Sequence, residues 1–493
     1  MKTFGRQNMY TRYINDDFNP LINNQQEIDK KIIEIIEDVK PIFDKNSQDS
    51  KNLIKQYIGE QDILSKTKHT RTEINNKVVE NWIWAIIEFK MSYLLGKPIT
   101  YIKASDKADK EISLLNKFVK YENKGSKDLD IYEDILTTGY GFRYVAPDKK
   151  QNKDEAPFEI VNCDVTKTGV VYSSKLGEGQ VLSFIKDNMV KIEEGKEVIY
   201  ENITIYTKYQ KIVISNEKEE WKVIDVQNLQ LSQHYIIEYY TNKYRLSLIE
   251  LGQDLFNGIN LLESLNMDDL EQFVNAIMVF INAQIDKKAL DEIKELGAVS
   301  LSSSEGRKAS LEIIQSRLNA VQTKEQYDMM VKALFEISGV PMASYNGNST
   351  GDTGKSQLVG QGFTSASIRI EKSETMIADC DKKVIRNILN ICRLDSKGMI
   401  KNLKHIDIDL KFQRDMSENL LVKTQGLMNL MSAEIPREIR NATVGLFADP
   451  HMVTEMQKEV FGEENGSQSI SQSSSQEQNN AINNVNEKEE QVI

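Results

Sequence analysis

The segment GNSTGDTGKSQ, residues 347–357, has the composition of a loop that cradles phosphate groups, and it contains Gly-Lys-Ser near its end. A P-loop requires glycine, four further residues and then Gly-Lys-Ser/Thr, so that successive backbone N–H groups surround the phosphates. Here Ser349 occupies the position of the first glycine, and Gly347 and Gly351 each miss it by two residues. Nucleotide binding through Lys355 is therefore kept only as the alternative hypothesis.

The residues before this loop give a second reason against nucleotide binding. A P-loop follows a buried strand. In residues 323–341, however, Tyr327, Val331 and Leu334 recur at steps of four and three, which is the period of an amphipathic helix. The polar, glycine-rich loop therefore needs another explanation, and its glycines give it conformational freedom.

No other grouping of side chains predicts catalysis or a metal site. The histidines, at positions 69, 234, 405 and 451, have no ligand spacing with one another or with cysteine, and core or solvated histidine is the preferred interpretation. Cys163, Cys380 and Cys392 are scattered, which indicates a reducing compartment and no disulfide framework. Asp268 and Asp269 are adjacent, and neighbours on a helix point about 100° apart, so we interpret them as solvated charges. No cofactor is predicted, and a structural or interacting protein is favoured over an enzyme.

Charge and hydropathy exclude further classes. The chain has 493 residues and a formal net charge of −12, and no basic patch dominates, although residues 69–71 and 103–127 are locally basic. Sequence-specific DNA binding is therefore not expected. No apolar run is long enough to span a membrane, and the first residues, MKTFGRQNMYTRYINDDF, lack the apolar core of a secretion signal.

The N-terminal part, up to about residue 140, is predicted to be mainly helical. Apolar residues recur at helical spacing over residues 30–59, and we expect breaks at Pro41 and Gly59. A second helix over residues 81–96 is predicted to end at Gly96 and Pro98. The residues expected on its apolar face are Trp82, Trp84, Ile87, Met91 and Leu95.

The remaining chain divides into a β-rich region and a C-terminal helical region. Short β-branched and aromatic runs between residues 157 and 244 predict an antiparallel sheet, with strands at 158–165, 169–174, 180–185, 202–209, 211–216 and 234–240. After it come a long helix at 247–276 and an insert at 279–319, which contains strands near 279, at 298–303 and at 309–314 and a helix at 286–296. A second helix at 323–338 and a polar helix at 355–393 follow the insert. The last predicted elements are a strand at 406–414 and helices at 417–431 and 436–461. Residues 466–493 lack core-forming side chains and are expected to be disordered.

Four local strings stand out within this order of elements: YLLGKPIT at 93–100, YIIEY at 235–239 with Asn242 after it, SGVP at 338–341 and GDTGK at 351–355. Together with two long helices that bracket an insert, they resemble the portal proteins of tailed bacteriophages, in particular those of long-tailed phages of Gram-positive hosts. The resemblance covers roughly residues 20–460. Tyr240-Thr241 departs from the family's pattern, which leaves the start of the first channel helix uncertain by a few residues.

The resemblance implies an α+β, multidomain portal fold with long stem helices around a central channel. The implied regions are a wing at 1–246 and 339–415, a stem at 247–276 and 320–338, a clip at 277–319, a crown at 416–462 and a disordered tail at 463–493. Within the second part of the wing, the implied tunnel loop covers about 342–356 and the long helix covers 355–393. It also implies a ring, usually a dodecamer, at one capsid vertex of the virion, assembled in the host cytoplasm.

The resemblance further implies the partners and the residues that meet them. The partners are major capsid and scaffolding proteins, the terminase large subunit as a separate ATPase motor, a head-completion or tail connector protein, and double-stranded DNA passing without sequence specificity; no membrane is involved. The implied tunnel-loop residues are Asn346, Gly347, Asn348, Ser349, Thr350, Gly351, Asp352, Thr353, Gly354 and Lys355. The candidate channel-lining acids are Asp254, Glu263, Asp268, Asp269 and Glu271, with solvated helix charge as an equally weighted interpretation. The candidate docking residues of the clip are Lys287, Lys288, Glu292 and Arg307. A shorter ring-forming connector is disfavoured by the length of the chain.

Overall fold

The computed structural model describes residues 4–69, 72–103, 109–148, 155–193, 196–217, 220–274, 277–281, 310–314, 320–341, 364–394, 400–412, 420–433, 435–444, 453–454 and 456–458. Within them the helices are α1 (Gln25–Tyr57), α2 (Trp82–Leu95), α3 (Asp109–Tyr121), α4 (Lys124–Thr138), α5 (Leu248–Val274), α6 (Ala320–Ser338), α7 (Thr364–Leu394), α8 (Leu420–Ser432) and α9 (Arg437–Val444). The chain divides into two compact units, the first formed by Met1–Tyr101 with Ser105–Arg414 and the second by Ile102–Ala104 with Asp415–Ile493.

The strands confirm an α+β fold with a mostly antiparallel main sheet. They are β1 (Met9–Thr11), β2 (Thr100–Lys103), β3 (Gly141–Pro147), β4 (Phe158–Cys163), β5 (Thr168–Ser173), β6 (Gln180–Glu193), β7 (Lys196–Thr207), β8 (Gln210–Glu217), β9 (Glu220–Asn228), β10 (Ile236–Tyr239), β11 (Ile277–Ile281), β12 (Ser310–Ile314) and β13 (Ile408–Lys411). A six-stranded sheet has the order β1-β5-β6-β7-β8-β9, in which only the β1–β5 pairing is parallel. A three-stranded sheet has the order β10-β3-β4.

Helix α1 runs through Pro41, so the break predicted there is wrong. Proline removes one main-chain hydrogen bond and costs about 3 kcal/mol inside a helix. Pro41 lies on the exposed side of the helix. The other side is buried along most of its length, and there Ile28, Ile32 and Phe43 pack with the core side of the six-stranded sheet. Burying several large apolar side chains contributes more than the proline costs. The side chain of Asn24 accepts the N–H of Gln26 and so fixes the start of the helix.

Helix α2 ends at Leu95 with Gly96 as its cap, as predicted, and Ile87, Met91 and Leu95 of the predicted apolar face are buried, whereas Trp84 of that face is exposed. Trp84 is 52% exposed, whereas Ile83, Ile86 and Leu94 are buried. Because apolar residues occur on all sides of this helix, the periodicity of its sequence does not decide which side faces the core. The main-chain N–H of Trp84 donates to the side chain of Asn81, which caps the start of the helix.

Most predicted elements of the β-rich and C-terminal regions are confirmed. The sequence pattern missed β3, which contains Arg143, and β9, in which charged residues alternate with apolar ones. Helices α5 and α6 confirm the predictions at 247–276 and 323–338, and α7 confirms the polar helix from Thr364 onwards. Strands β11 and β12 confirm the two outer strands of the insert, and β13, α8 and α9 confirm the strand and helices after α7. The predicted helix at 286–296, the strand at 298–303 and the start of the polar helix lie outside the described residues.

A buried ionic network joins α4, β3 and α7. The guanidinium of Arg143, fully buried, donates to the carboxylate of Asp128 at 2.6 Å and to the carbonyl of Lys127 at 2.9 Å. Lys124 forms ion pairs with Asp128 at 2.9 Å and with Asp381 at 3.0 Å. The charges are therefore paired inside the core, where an unpaired charge would cost several kcal/mol.

Asp381 also receives two phenol hydroxyls in this network. Tyr101 and Tyr239 each donate to a different carboxylate oxygen of Asp381 at 2.7 Å. Burial opposes ionisation of Asp381, but the charges of Lys124 and Arg143 and the two hydroxyls outweigh it and hold the pKa of this carboxyl below its usual value. The network therefore fixes α7 against elements from much earlier in the chain.

We predict that Asp381→Asn lowers the free energy of unfolding by about 3–5 kcal/mol, because it leaves buried cations without their counter-charge. Urea unfolding of the two proteins measures the difference. Asp379→Asn, an exposed position on the same helix, is the matched control and should change stability by no more than about 0.5 kcal/mol. Equal effects of the two substitutions would contradict the role assigned to the network.

Candidate functional site

A capping box fixes the start of α5, the first long helix of the pair that brackets the insert. The hydroxyl of Ser247 accepts the N–H of Glu250 at 3.1 Å, and Glu250 accepts the N–H of Ser247 at 2.8 Å. The second carboxylate oxygen of Glu250 accepts the N–H of Gly5 at 2.9 Å and the guanidinium of Arg6. The N-terminal segment is therefore tied directly to the first turn of α5.

The turn before α5 is equally constrained. Arg245 has a φ of +48° and forms a bidentate ion pair with Glu238 at 2.8 and 2.9 Å. Gly139, with a φ of +96°, approaches so closely that a Cβ there would lie 2.0 Å from the carbonyl oxygen of Arg245. Only glycine fits this position. The direction in which the chain leaves β10 for α5 is thus set by backbone packing.

One face of α5 packs closely against α6. Phe256 and Ile259 are buried in the same cluster as Val331 and Leu334. A Cβ at Gly252 would lie 2.8 Å from the Phe256 ring and 3.1 Å from a Leu334 methyl group. This glycine, which weakens the helix by its low propensity, therefore permits the close approach of the two helices.

A second face of α5 carries a polar ladder, formed by Asn260, Ser264 and Asp268. These side chains accept the main-chain N–H groups of residues 80, 78 and 76 at 2.8, 2.9 and 2.6 Å, respectively. The geometry matches because four residues of helix rise about 6 Å and two residues of extended chain span about 6.6 Å. The ladder thus binds an extended segment along the helix as a neighbouring strand would.

Asp268 is buried in this ladder, so our interpretation of it as a solvated acid is wrong. Its side chain is 2% exposed and forms ion pairs with Lys66 and Lys68, each at 2.7 Å. Burial opposes its ionisation, but the bonds from these lysines and from Asn76 outweigh burial and hold the pKa of Asp268 well below its usual range. A carboxylate neutralised in this way is not available to repel DNA in a channel.

The other candidate acids on α5 lie on different faces. Asp254 is exposed, and Glu263 lies nine residues later, which places it on the opposite side at about 100° per residue. Glu271 accepts the side-chain amide of Asn76 at 2.8 Å. Asp269 is half-buried. The sequence prediction of channel-facing charge therefore applies to a subset of these acids at most.

A third face of α5 exposes leucines in the isolated chain. Leu251, Leu261 and Leu265 fall within about 80° of one another around the helix and are 50%, 45% and 37% exposed. On α6, Val321 and Met329 are 66% and 71% exposed. Large apolar side chains that are exposed on one side of a helix are typical of an interaction site.

The C-terminus of α6 is held by two cations at the point where the chain leaves for the glycine-rich loop. Lys90 donates to the carbonyl of Ser338 at 2.6 Å, and Arg369 donates to the carbonyl of Glu336 at 2.6 Å. Gly339 follows with a φ of +74°, and a Cβ there would lie 2.8 Å from Arg369. Both cations complement the negative end of the helix dipole.

The described residues form no metal centre. They contain no group of His, Cys, Asp and Glu that would hold a metal ion, and no helix among them has the length and apolarity needed to cross a bilayer. The three cysteines are free and buried, and burial lowers the pKa of the partly exposed His234 to about 4, so this histidine is neutral at pH 7. The predicted tunnel-loop residues 346–355 and the clip residues Lys287, Lys288, Glu292 and Arg307 lie outside the described part of the chain.

Comparison with known proteins identifies one family. The sequence model of the phage portal proteins described as SPP1 Gp6-like matches residues 36–469, which is most of the chain. The match includes both helices of the pair, the insert between them and the glycine-rich loop. No curated protein matches the chain.

We predict a pH-dependent contribution of Lys90 to stability. Burial, reinforced by the charge of Arg369, lowers the pKa of Lys90 from its ordinary value of 10.5 to about 8. Between these values the unfolded chain holds a proton that the folded chain has lost, so this group makes stability rise with pH. The stability of the wild type minus that of Lys90→Met should increase over this range by on the order of 1–3 kcal/mol. Chemical unfolding of both proteins at several pH values measures it, and a constant difference would contradict the prediction.

Proposed function

The chain belongs to the family of SPP1 Gp6-like phage portal proteins, and on this basis we propose that it forms the ring at one capsid vertex through which double-stranded DNA is packaged and ejected. The observation that carries the proposal is the family match over residues 36–469. Proteins of this family are structural components of the virion. The alternative hypothesis of a nucleotide-binding loop around Lys355 receives no support from the match.

In this proposal, α5 and α6 are the stem and the insert at 277–319 is the clip. The clip would dock the terminase large subunit during packaging and the head-completion or tail connector protein afterwards, through the charged residues Lys287, Lys288, Glu292 and Arg307. The wing would be residues 1–246 and 339–415, and the crown 416–462. Of Asp254, Glu263, Asp269 and Glu271, the subset that faces the channel would reduce adhesion of DNA by repelling its phosphates.

The exposed apolar faces of the helix pair support ring formation. A closed ring is built from heterologous contacts, in which two different patches of the subunit meet. The leucine face of α5 and the exposed residues Val321 and Met329 of α6 are two such patches. We infer that the leucine face of one subunit packs against the α6 patch of the next, with twelve subunits as the expected number from the family.

We predict that Leu261→Glu combined with Leu265→Glu abolishes rings and leaves folded monomers. Both side chains are partly exposed in the single chain, so the charges should cost the monomer little, whereas they would be buried between subunits. Native mass spectrometry and negative-stain images measure the assembly. Leu21→Glu with Leu176→Glu, at two highly exposed positions elsewhere, is the matched control and should form rings. Intact rings in the first variant would contradict the assignment.

The loop at about 342–356 is proposed to line the narrowest part of the channel and to contact DNA transiently. One lysine per subunit, repeated around a ring, would give weak and evenly spaced attraction for phosphates, because exposed charges are screened beyond roughly 8 Å at physiological salt. The glycines would let the loop follow the DNA surface.

We predict that Lys355→Ala leaves ring assembly unchanged and alters DNA packaging or retention. ATP binding should be absent before and after the substitution. Assembly is followed by native mass spectrometry, packaging by nuclease protection of DNA, and nucleotide binding by calorimetry with magnesium. Saturable, magnesium-dependent ATP binding that Lys355→Ala abolishes would overturn the portal interpretation of this loop and restore the nucleotide-binding alternative.

A further inference from the structure

A basic cleft lies on the surface of the first unit, between the end of α7 and the segment that precedes β13. Its volume is about 530 Å³. Helix α7 contributes Arg386, Asn390 and Arg393, and the segment contributes Lys401, Lys404 and His405. The cations are exposed at the sides of an open cleft.

The two arginines of the cleft lie seven residues apart on one face of α7, which separates their backbone positions by about 10.5 Å. The guanidinium of Arg393 is held in place, since it donates to Asn390 Oδ1 at 3.0 Å and to the carbonyl of Leu403 at 2.7 Å. Arg393 thereby joins the helix to the opposite side of the cleft. Arg386 has no carboxylate partner among the described residues.

The carboxylates close to this segment accept hydrogen bonds from its main-chain N–H groups. Glu111 accepts the N–H of Leu403 at 2.7 Å and also that of Asn402. Asp407 accepts the N–H of Lys404 at 3.2 Å. Within the described part of the chain, the ammonium groups of Lys401 and Lys404 have no ion pair. The carboxylates shape the segment and leave its positive charge available.

The lining of the cleft distinguishes between classes of partner. Its lining contains no Phe, Tyr or Trp ring on which a single-stranded base would stack, the imidazole of His405 is its one aromatic ring, and Ile406 is its one apolar residue. Protein interfaces depend on buried aromatic or apolar anchors, whereas interfaces with duplex DNA are polar and strongly positive. The whole chain has a net charge of −12, so the charge of this cleft is opposite in sign to the net charge of the protein.

We propose that this cleft binds the phosphates of the duplex DNA backbone without reading the bases. Arginine forks match phosphate oxygens. The separation of the two arginine positions on the helix exceeds the size of one phosphate, so their side chains can contact different phosphates of one strand. The cleft is a second DNA contact, separate from the loop at 342–356, and it stands whether or not the chain forms a ring.

The test compares two triple variants of the full chain that each lose three positive charges. The first is Arg386→Gln with Lys401→Gln and Lys404→Gln; Arg393 is retained because it supports the segment. The matched control is Lys30→Gln with Lys45→Gln and Lys51→Gln, at exposed positions of α1. Fluorescence anisotropy with a short duplex of mixed sequence, between about 50 and 200 mM salt, gives the affinity and its salt dependence. Lys355 is present in every protein, and native mass spectrometry follows assembly independently.

We expect the cleft variant to bind DNA at least about 10-fold more weakly at the lowest salt, with a slope of log K against log salt that is shallower by about 2–3. The control should match the wild type in slope. Equal slopes for the two variants would overturn the proposal. Competition by inorganic phosphate beyond that of chloride at equal ionic strength would instead identify a single-phosphate site, and cleft-dependent binding of poly-glutamate as strong as that of DNA would identify an acidic protein partner; either result would overturn the assignment to the DNA backbone.

Discussion

The arrangement of the first unit depends on a small group of buried charges, Lys124, Asp128, Arg143 and Asp381. Arg143 has no contact with solvent, and Asp381 is separated from Tyr101, whose hydroxyl it accepts, by 280 residues of chain. Removing any one member would strand the others in a medium of low dielectric. The network is therefore satisfied only when α4, β3, β10 and α7 are all in place, which favours one arrangement of these elements over looser alternatives.

Helix α5 shows how one element meets three different demands. Its glycine-containing side packs against α6, its polar ladder holds residues 76–80, and its leucines remain exposed. The three faces carry different kinds of side chain and make different contacts, so a substitution on one face need not disturb the other two. The helix is thus fixed within the chain on two sides, and its third side remains exposed.

The sequence predicted what depends on near neighbours along the chain. Helical period located α2, α5, α6 and α7, and alternation located most strands. The sequence predictions failed where residues far apart in the chain are in contact. Asp268 was predicted to be solvated because its partner Lys66 lies 202 residues away. Pro41 was predicted to break the helix because the sheet that buries α1 is remote in sequence. The basic cleft was missed because its cations come from two elements and form no continuous run. The predictions for the tunnel loop and the clip residues lie outside the described residues and stay predictions.

The pairing of β11 with β12 has a consequence for how this protein varies. Ile281 lies opposite Ser310 in an antiparallel pair, so the two positions that flank residues 282–309 are adjacent, about 5 Å apart. Insertions between adjacent ends are tolerated because they place little strain on the host. A change in the length of residues 282–309 is therefore expected to leave the β11–β12 pair and the packing of α5 against α6 in place.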